Sequence, residues 1–323
     1  MPQDLQQARE RHMSWLRRTG MLKTEEEIEQ LMAWGPERAG AHFHPRARED
    51  DRLLASDFYG WMILLDGQFD GLAGQDSRRA EMVVQGLLAV LDPNAAPSAP
   101  VLAGERALAD LWQRLCSGMS PAWRERAAKD LGDFITAYRT EAIHRAARMC
   151  LPVEKYLRLR FDSGGTGIIL DITERLHGFE IPAVAWAHPL IQRMRELTVH
   201  VTDVVQDVLS LDKEELDSDL NNIVVVLTHD DPSLTPQAAV TRVQTMVQEW
   251  TREFLALQAR AGGMCDALDL PGQSRTAVFQ YIDAMRSCMR GNYDWCRTSP
   301  RYDPRYLAGR STTGLLGTML YGP

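Results

Sequence analysis

Residues 58–70 read FYGWMILLDGQFD, and this stretch decides the fold. Its first eight residues are almost all apolar, so a helix here is buried on every side. Asp66 and Asp70 follow four residues apart and therefore share one helix face. Two carboxylates at the end of a buried helix repel each other unless a cation joins them, and hard oxygen ligands favour Mg²⁺. The alternative is a helix that leaves the core with solvated acids, although the helix dipole disfavours acids at a C-terminus.

The rest of the chain also follows helical spacing. Apolar residues recur at positions 111, 115 and 119 and at positions 204, 208 and 211, which is the repeat of one helix face. Residues 223–227 are the best strand candidate, but they lie inside a longer helical pattern, and we interpret them as buried helix. At ~11–12 residues per helix, the length predicts an all-α fold of about ten or more helices. We expect one domain, residues 1–323.

Helix ends are predicted where Pro, Gly and Asn cluster. The predicted breaks are residues 92–101, 118–121, 177–178, 229–235 and 262–263. After two of these breaks, a helix restarts with Pro at its first position behind a capping hydroxyl, at Ser120-Pro121 and at Thr235-Pro236.

Composition excludes several classes of protein. The 36 Lys plus Arg and 44 Asp plus Glu residues give a net charge of −8, which argues against a nucleic-acid partner because phosphate binding relies on cationic side chains. The five cysteines include no CxxC pair, so neither a disulfide scaffold nor a zinc site is expected. No window reaches the ~18–20 apolar residues of a membrane span, and residues 1–12 are too polar for a signal peptide. We therefore expect a cytoplasmic protein with reduced thiols and no membrane partner.

A second polar stripe lies in residues 206–214, QDVLSLDKE. Gln206, Ser210 and Glu214 follow at i, i+4 and i+8, so three oxygen-bearing side chains line one helix face. Alone, this stripe is typical of the solvated face of an amphipathic helix. Together with Asp66 and Asp70, it suits a pocket walled by hydrocarbon with metal ions at its mouth.

Four motifs, in this order, resemble those of the bacterial class I terpene synthases. Residues 66–70 resemble the aspartate-rich motif DDxxD, and residues 206–214 resemble the family's NSE motif, NDxxSxxKE. Between them, residues 156–165 (YLRLRFDSGG) are similar to the helix break that carries the pyrophosphate sensor.

The fourth motif lies near the end of the chain. Trp295 followed by Arg301-Tyr302 is similar to the C-terminal RY element of the family. A second pair, Arg305-Tyr306, follows closely, and we prefer the first pair because of its spacing from Trp295. The resemblance covers nearly the whole chain.

The resemblance implies an α-helical bundle around a central apolar pocket, with three Mg²⁺ ions and an isoprenoid diphosphate as substrate. The implied metal ligands are Asp66, Asp70, Gln206, Ser210 and Glu214. The implied hydrogen-bond donors to the diphosphate are Arg160, Lys213, Arg301 and Tyr302. The implied linker and effector residues, where the helix break aims a backbone carbonyl at the substrate, are Ser163 and Gly164. The implied catalytic set is Asp66, Arg160, Gly164, Arg301 and Tyr302. The residues expected to shape the pocket are Trp61, Met62, Ile63, Ser163, Gly164 and Trp295.

The implied reaction is ionisation of the diphosphate followed by cyclisation of the carbocation to a terpene hydrocarbon or alcohol. Met62 and Ile63 stand where a member of the family carries two aromatic residues. The aliphatic pair suggests more room, so we favour geranylgeranyl diphosphate (C20) over farnesyl diphosphate (C15) as the substrate. The resemblance also implies a homodimer, which composition does not decide.

Two departures from the family pattern keep an alternative open. Gly67 replaces the second aspartate of DDxxD, and Gln206 replaces the first residue of the NSE motif. They are the support for a degenerate, non-catalytic isoprenoid-binding or scaffold protein of the same fold. A prenyl-chain elongase is disfavoured because its second aspartate-rich motif is missing.

Overall fold

The computed structural model describes residues 3–70, 74, 76–92, 102–217 and 219–307. Within these ranges the secondary structure is fifteen α-helices and one short 3₁₀ helix, with no strand, so the all-α prediction is confirmed. The first seven helices are α1 (Gln3–Thr19), α2 (Glu25–Trp34), α3 (Pro36–Phe43), α4 (Glu49–Asp70), α5 (Ser77–Leu91), α6 (Ala103–Cys116) and α7 (Pro121–Ala146). The next five are α8 (Val153–Ser163), α9 (Thr166–His177), α10 (Ala183–Trp186), α11 (Pro189–Asp217) and α12 (Ile223–Asp230). The last are α13 (Pro236–Ala267), α14 (Gly272–Thr298), the 3₁₀ helix (Pro300–Tyr302) and α15 (Pro304–Leu307).

The predicted caps are present at the helices they were expected to start. The Ser120 hydroxyl accepts a hydrogen bond from the backbone N–H of Trp123 at the start of α7, and the Thr235 hydroxyl accepts one from Ala238 at the start of α13. Residues 223–227 form the first part of α12, capped by the side chain of Asn222. The strand candidate is therefore a helix, as interpreted.

One predicted break is wrong. Residues 262–263 lie inside α13, which continues to Ala267. Two glycines weaken a helix by roughly 1 kcal/mol each relative to alanine. Packing overrides this weak preference, because Ala261, Met264 and Cys265 are buried in the core on both sides of the pair. Of the predicted break at 92–101, residues 93–101 lie outside the described residues.

The core surrounds α4. Phe58, Trp61, Leu64 and Leu65 are fully buried in the larger of two hydrophobic clusters, as the apolar run predicts. The smaller cluster lies between α8, α11, α12 and α13. Helix α8 packs against α11, which brings residues 156–163 close to residues 206–214. No helix of the described residues is long and apolar enough to cross a membrane.

Candidate active site

The first carboxylate stripe lies at the C-terminal end of α4. Backbone carbonyls at the end of a helix lack partners within the helix. Arg145 of α7 donates to one of them, the carbonyl of Phe69, at 3.1 Å, and its other nitrogen contacts Asp219 at 2.9 Å. This arginine fixes the end of α4, so the positions of Asp66 and Asp70 are set by the packing of α7.

Two cations reach these carboxylates from distant parts of the chain. Arg301, in the 3₁₀ helix, is paired with Asp66, and its guanidinium also lies 3.9 Å from Asp70. Lys213 of α11 donates to Asp70 at 2.8 Å. Burial opposes ionisation of Asp70, but Lys213 and Arg301 outweigh it and lower the pKa of this carboxyl. Arg305, the alternative of the RY element, is exposed and pairs with Asp303.

The second stripe faces the same space from α11. Ser210 donates to one oxygen of Glu214 at 2.7 Å, and Asn222 donates to the other at 2.6 Å. Burial and the charge of Asp207 raise the pKa of Glu214 to about 8. Gln206 lines the cavity between the stripes, whereas Ser210 is fully buried behind Glu214.

Arg160 is held at the end of α8 by a network that sequence reasoning missed. Its Nε donates to the buried carboxylate of Asp207 at 3.0 Å. Asp207 also accepts from the Tyr156 hydroxyl and from the backbone N–H of Ile223 at 3.1 Å. Asp207 is part of the NSE motif, so its identity was visible, but its role as the anchor of Arg160 requires the packing of α8 on α11.

These groups line one polar cavity, which we call the mouth. Its walls are formed by Asp66, Asp70, Glu141, Arg160, Ser163, Gln206, Lys213, Glu214, Asp219, Asn221, Arg301 and Tyr302. Five carboxyl groups and three cationic side chains are among them, so the mouth carries an excess of acids. Burial also raises the pKa of Glu141 to about 7. In both Glu141 and Glu214, burial outweighs the nearby cations Arg145, Arg160 and Lys213. A divalent metal ion fits this donor set, because it adds positive charge beside buried carboxyl groups.

The donor atoms of the mouth are too dispersed to hold a metal ion without a further ligand. Within the described residues, no three His, Cys, Asp or Glu side chains are grouped closely enough to hold a metal ion by themselves. The acids predicted as metal ligands are divided between α4 (Asp66, Asp70) and α11 (Glu214), with Gln206 and Ser210 as neutral oxygen donors. Mg²⁺ is commonly bound by one or two carboxylates together with substrate phosphates. The mouth is therefore suited to a metal ion that arrives with a diphosphate.

An apolar cavity of about 80 Å³ adjoins the mouth. Both are bordered by Asp66, Arg160, Ser163, Gln206, Arg301 and Tyr302. The remaining wall is formed by Phe43, Tyr59, Met62, Ile63, Phe134, Tyr138, Gly164, Ile169, Asn292 and Trp295. The aromatic residues from α3, α7 and the first half of α4 were not predicted, because nothing in their local sequence distinguishes a cavity wall from ordinary core.

Trp61 is the predicted pocket residue that the structure places elsewhere. Its side chain is fully buried, contacts Phe58 and donates to the backbone carbonyl of Gly104 at 3.2 Å. It therefore faces α6, whereas Met62 and Ile63 face the cavity. Successive residues of a helix point about 100° apart, and a helix that is apolar on every side does not reveal which face lines a cavity.

A more voluminous groove is a different feature. It has a volume of about 930 Å³ and lies between α11, α13 and α14, and its walls include none of the predicted site residues. Size alone therefore does not mark the site. The mouth is the place where the predicted residues converge.

Comparisons with known proteins identify the family. The family described as "Terpene synthase family 2, C-terminal metal binding" matches residues 57–253. Pentalenene synthase of Streptomyces avermitilis is 32% identical over 317 residues, which cover 97% of this chain and 93% of that protein. A (−)-β-caryophyllene synthase of Saccharothrix espanaensis, named as cyclising (2E,6E)-farnesyl diphosphate, is 36% identical and covers 95% of this chain and 87% of its own.

A solved structure shows the same architecture. The linalool/nerolidol synthase of Streptomyces clavuligerus, in complex with 2-fluorogeranyl diphosphate, superimposes with a TM-score of 0.84 at 29% identity. The match covers 91% of this chain and 99% of that chain. The helical bundle and its mouth thus define an enzyme that acts on isoprenoid diphosphates, a carbon–oxygen lyase. The chain belongs to the bacterial class I terpene synthases.

Proposed function

We propose that the protein cyclises farnesyl diphosphate in a Mg²⁺-dependent reaction to a cyclic terpene hydrocarbon or alcohol. The observation that carries this proposal is the convergence of both oxygen stripes with Arg160, Lys213 and Arg301 at the mouth of an apolar cavity. The polar end suits the diphosphate, and the apolar end suits the isoprenoid chain.

The metal ligands of the proposal are Asp66, Asp70, Gln206, Ser210 and Glu214. Three Mg²⁺ ions, the number that the resemblance implies, would neutralise the negative charge that develops on the diphosphate as its bond to carbon breaks. Gln206 keeps an oxygen donor on the cavity wall, so its longer side chain is compatible with this role. Gly67 removes one carboxylate of the aspartate-rich motif, while Asp66 and Asp70 remain at the mouth.

The diphosphate is bound and oriented by this chain's cations. Arg160, Lys213 and Arg301 are each held by a carboxylate in the free protein, at Asp207, Asp70 and Asp66. Because Asp207 is not among the proposed metal ligands, Arg160 is positioned before the substrate arrives and needs little rearrangement when charge develops, which is the basis of electrostatic preorganisation. Lys213 and Arg301 would exchange Asp70 and Asp66 for the diphosphate when the metal ions bind. Tyr302 lines both cavities, and in the proposal its hydroxyl donates a hydrogen bond to the diphosphate.

The apolar cavity protects and guides the carbocation. Aromatic faces stabilise a cation by roughly 0.5–2 kcal/mol each, and Phe134, Tyr138 and Trp295 supply such faces. The C-terminal end of α8 also reaches the wall at Gly164. Helix C-termini carry partial negative charge, so this end is suited to face a cation.

The named relatives favour the C15 substrate over the C20 substrate that Met62 and Ile63 suggested. Met62 and Ile63 line the apolar cavity together with Phe134 and Tyr138, and its volume of about 80 Å³ does not distinguish the two chain lengths. The (−)-β-caryophyllene synthase, named for farnesyl diphosphate, supports the same choice. We further propose that residues 1–323 act as one domain and assemble as a homodimer, which light scattering after gel filtration would test.

The test is a substrate panel. Purified protein with Mg²⁺ is offered geranyl, farnesyl, geranylgeranyl and geranylfarnesyl diphosphate separately, and both released diphosphate and organic products are measured. We expect a cyclic product from farnesyl diphosphate that disappears when EDTA is added. A cyclic product from geranylgeranyl diphosphate alone would contradict the proposed C15 substrate. No diphosphate release from any substrate would favour the non-catalytic binding protein.

A further inference from the structure

The helix break between α8 and α9, residues 163–165, is held from both sides by one helix. Asp207 of α11 anchors the side before the break, because it binds Arg160 and Tyr156 of α8. Asp203 lies one helical turn earlier on α11 and accepts a hydrogen bond of 2.6 Å from the hydroxyl of Thr166, the first residue of α9. Residues four apart share a helix face, so the two aspartates form a bracket around the break.

Asp203 also occupies the space beside Gly164. A Cβ added at Gly164 would overlap all three terminal atoms of the Asp203 carboxyl group. Asp203 is 1% exposed, and a short buried side chain has little freedom to move away. The backbone of Gly164 has φ −69° and ψ −21°, which any residue adopts without strain. Glycine is therefore required at this position by Asp203 and not by the backbone.

The neighbouring glycine provides a contrast. Gly165 has φ +69°, in the left-handed region that disfavours other residues. An added Cβ there would meet Met62 and Phe134 of the cavity wall. The requirement for glycine therefore has a different physical cause at each of the two positions. A substitution at Asp203 should remove only the requirement at position 164.

We propose that Asp203 is a positioning residue, which places Gly164 on the cavity wall by filling the space beside it and by binding Thr166 across the break. The same helix carries Gln206, Ser210 and Glu214 at the mouth. One rigid helix carries both the bracket and the mouth residues. It therefore fixes the position of Gly164 on the cavity wall relative to the site where the diphosphate would bind. Asp203 touches neither substrate nor metal in this role. The catalytic part of the proposal rests on the proposed function.

One oxygen of Asp203, Oδ2, has no hydrogen-bond partner among the described residues, and burial raises the pKa of this carboxyl to about 7. An amide of the same shape keeps the acceptor for Thr166. Asp203→Asn is therefore the conservative variant, and Asp203→Ala removes both the acceptor and the bulk.

The test is a double-mutant cycle on Gly164→Ala and Asp203→Ala, read as kcat, KM and melting temperature. Gly164→Ala alone should lower kcat about 100-fold, and Asp203→Ala alone about 10-fold, each with KM for farnesyl diphosphate within about 3-fold of the wild type. The double variant should return to about the 10-fold loss of Asp203→Ala. Asp203→Asn should stay within about 3-fold of the wild type.

Gly165→Ala is the matched control. Adding Asp203→Ala to it should give no recovery, because the strain at Gly165 lies in its own backbone. Losses that simply multiply in the Gly164→Ala and Asp203→Ala pair would overturn the proposal, as would a loss for Asp203→Asn equal to that for Asp203→Ala. If the wild type releases no diphosphate, the proposed function fails. The melting temperatures of the same cycle then decide whether Asp203 excludes a side chain at position 164.

Discussion

Two groups of buried charges differ in what surrounds them. The mouth carries Asp66, Asp70 and Glu214 with Arg160, Lys213 and Arg301, and these side chains line a cavity. The second group, which we call the inner ion cluster, consists of Arg126, Asp130, Asp171, Glu174 and Arg195. Arg195 donates to Asp130, Asp171 and the Tyr281 hydroxyl and to the backbone carbonyl of Gly167 at 3.0 Å.

The comparison shows that a raised pKa does not by itself mark a functional site. Burial raises the pKa of Asp171 in the inner ion cluster to about 8, the same value as for Glu214 at the mouth. The difference lies in the partners. Arg126 and Arg195 stack on the ring of Trp186 at 5.3 and 6.0 Å and pair with acids of neighbouring helices. The charges of the mouth instead line a cavity that can hold a ligand, so we expect them to serve chemistry and those of the inner ion cluster to serve folding.

The largest expected effect tests the inner ion cluster. Arg195→Met leaves the buried Asp171 and the partly exposed Asp130 without their main partner, and breaking a buried ion pair in this way lowers the free energy of unfolding by about 3–5 kcal/mol. Urea denaturation measures the loss, and turnover per folded molecule should be retained. The control is Arg286→Met, since Arg286 is exposed, its partner Asp283 is partly exposed, and such surface pairs contribute about 0–1 kcal/mol. If Arg195→Met unfolds at the same urea concentration as the wild type, the structural role of the inner ion cluster is contradicted.

At the mouth, Glu214→Gln should lower kcat/KM for diphosphate release about 100-fold or more, which equals about 2.7 kcal/mol of transition-state stabilisation. The amide keeps the size of the side chain but removes the charge that would bind the metal. Its melting temperature should stay close to that of the wild type. Glu215→Gln, at an exposed neighbouring position, is the control and should be unchanged in both readouts. Equal activity of the two variants would show that Glu214 is not a metal ligand.

Metal binding should depend on the diphosphate. Because the carboxylates proposed as metal ligands are divided between α4 and α11, inorganic diphosphate should raise the affinity for Mg²⁺ about 10-fold or more in calorimetric titrations. Asp66→Asn should remove most of this enhancement. Equal Mg²⁺ affinity with and without diphosphate would mean that the protein forms a complete metal site alone, contrary to the arrangement described.

The smallest expected effect concerns the cavity wall. Met62→Phe adds an aromatic face, worth roughly 0.5–2 kcal/mol to a nearby cation, and should change the ratio of products while kcat/KM stays within about 10-fold. Trp61→Phe, one residue away but directed towards α6, should leave the product ratio unchanged and lower only the melting temperature. Gas chromatography of the extracts separates these outcomes. A changed ratio with Trp61→Phe alone would reverse the assignment of the two faces.

Residue spacing predicted the parts of the site that lie on single helices. Asp66 and Asp70 on α4, and Gln206, Ser210 and Glu214 on α11, follow directly from the helical repeat. The resemblance added Arg160, Lys213, Arg301 and Tyr302, and the structure brings all four to the mouth. Helix content and the caps at Ser120 and Thr235 were predictable for the same local reason.

Features that depend on packing between helices were not predictable. Trp61 and Met62 are equally apolar neighbours, and only the position of α6 decides which of them faces the cavity. The bracket of Asp203 and Asp207 requires α11 to lie across the break between α8 and α9. The inner ion cluster draws on α7, α9 and α11, so none of its residues stands out in a local pattern. The glycine pair at 262–263 was misread because local preference is weaker than burial.

The most direct test of the central claim measures diphosphate release from farnesyl diphosphate by Glu214→Gln and Arg195→Met side by side. Rates are measured without urea, with saturating Mg²⁺ and at a temperature below the melting transitions of both variants. They are normalised to the amount of folded protein. We predict that Arg195→Met keeps most of the wild-type rate and that Glu214→Gln loses about 100-fold or more. The reverse result, with Glu214→Gln active and folded Arg195→Met inactive, would contradict the assignment of catalysis to the mouth.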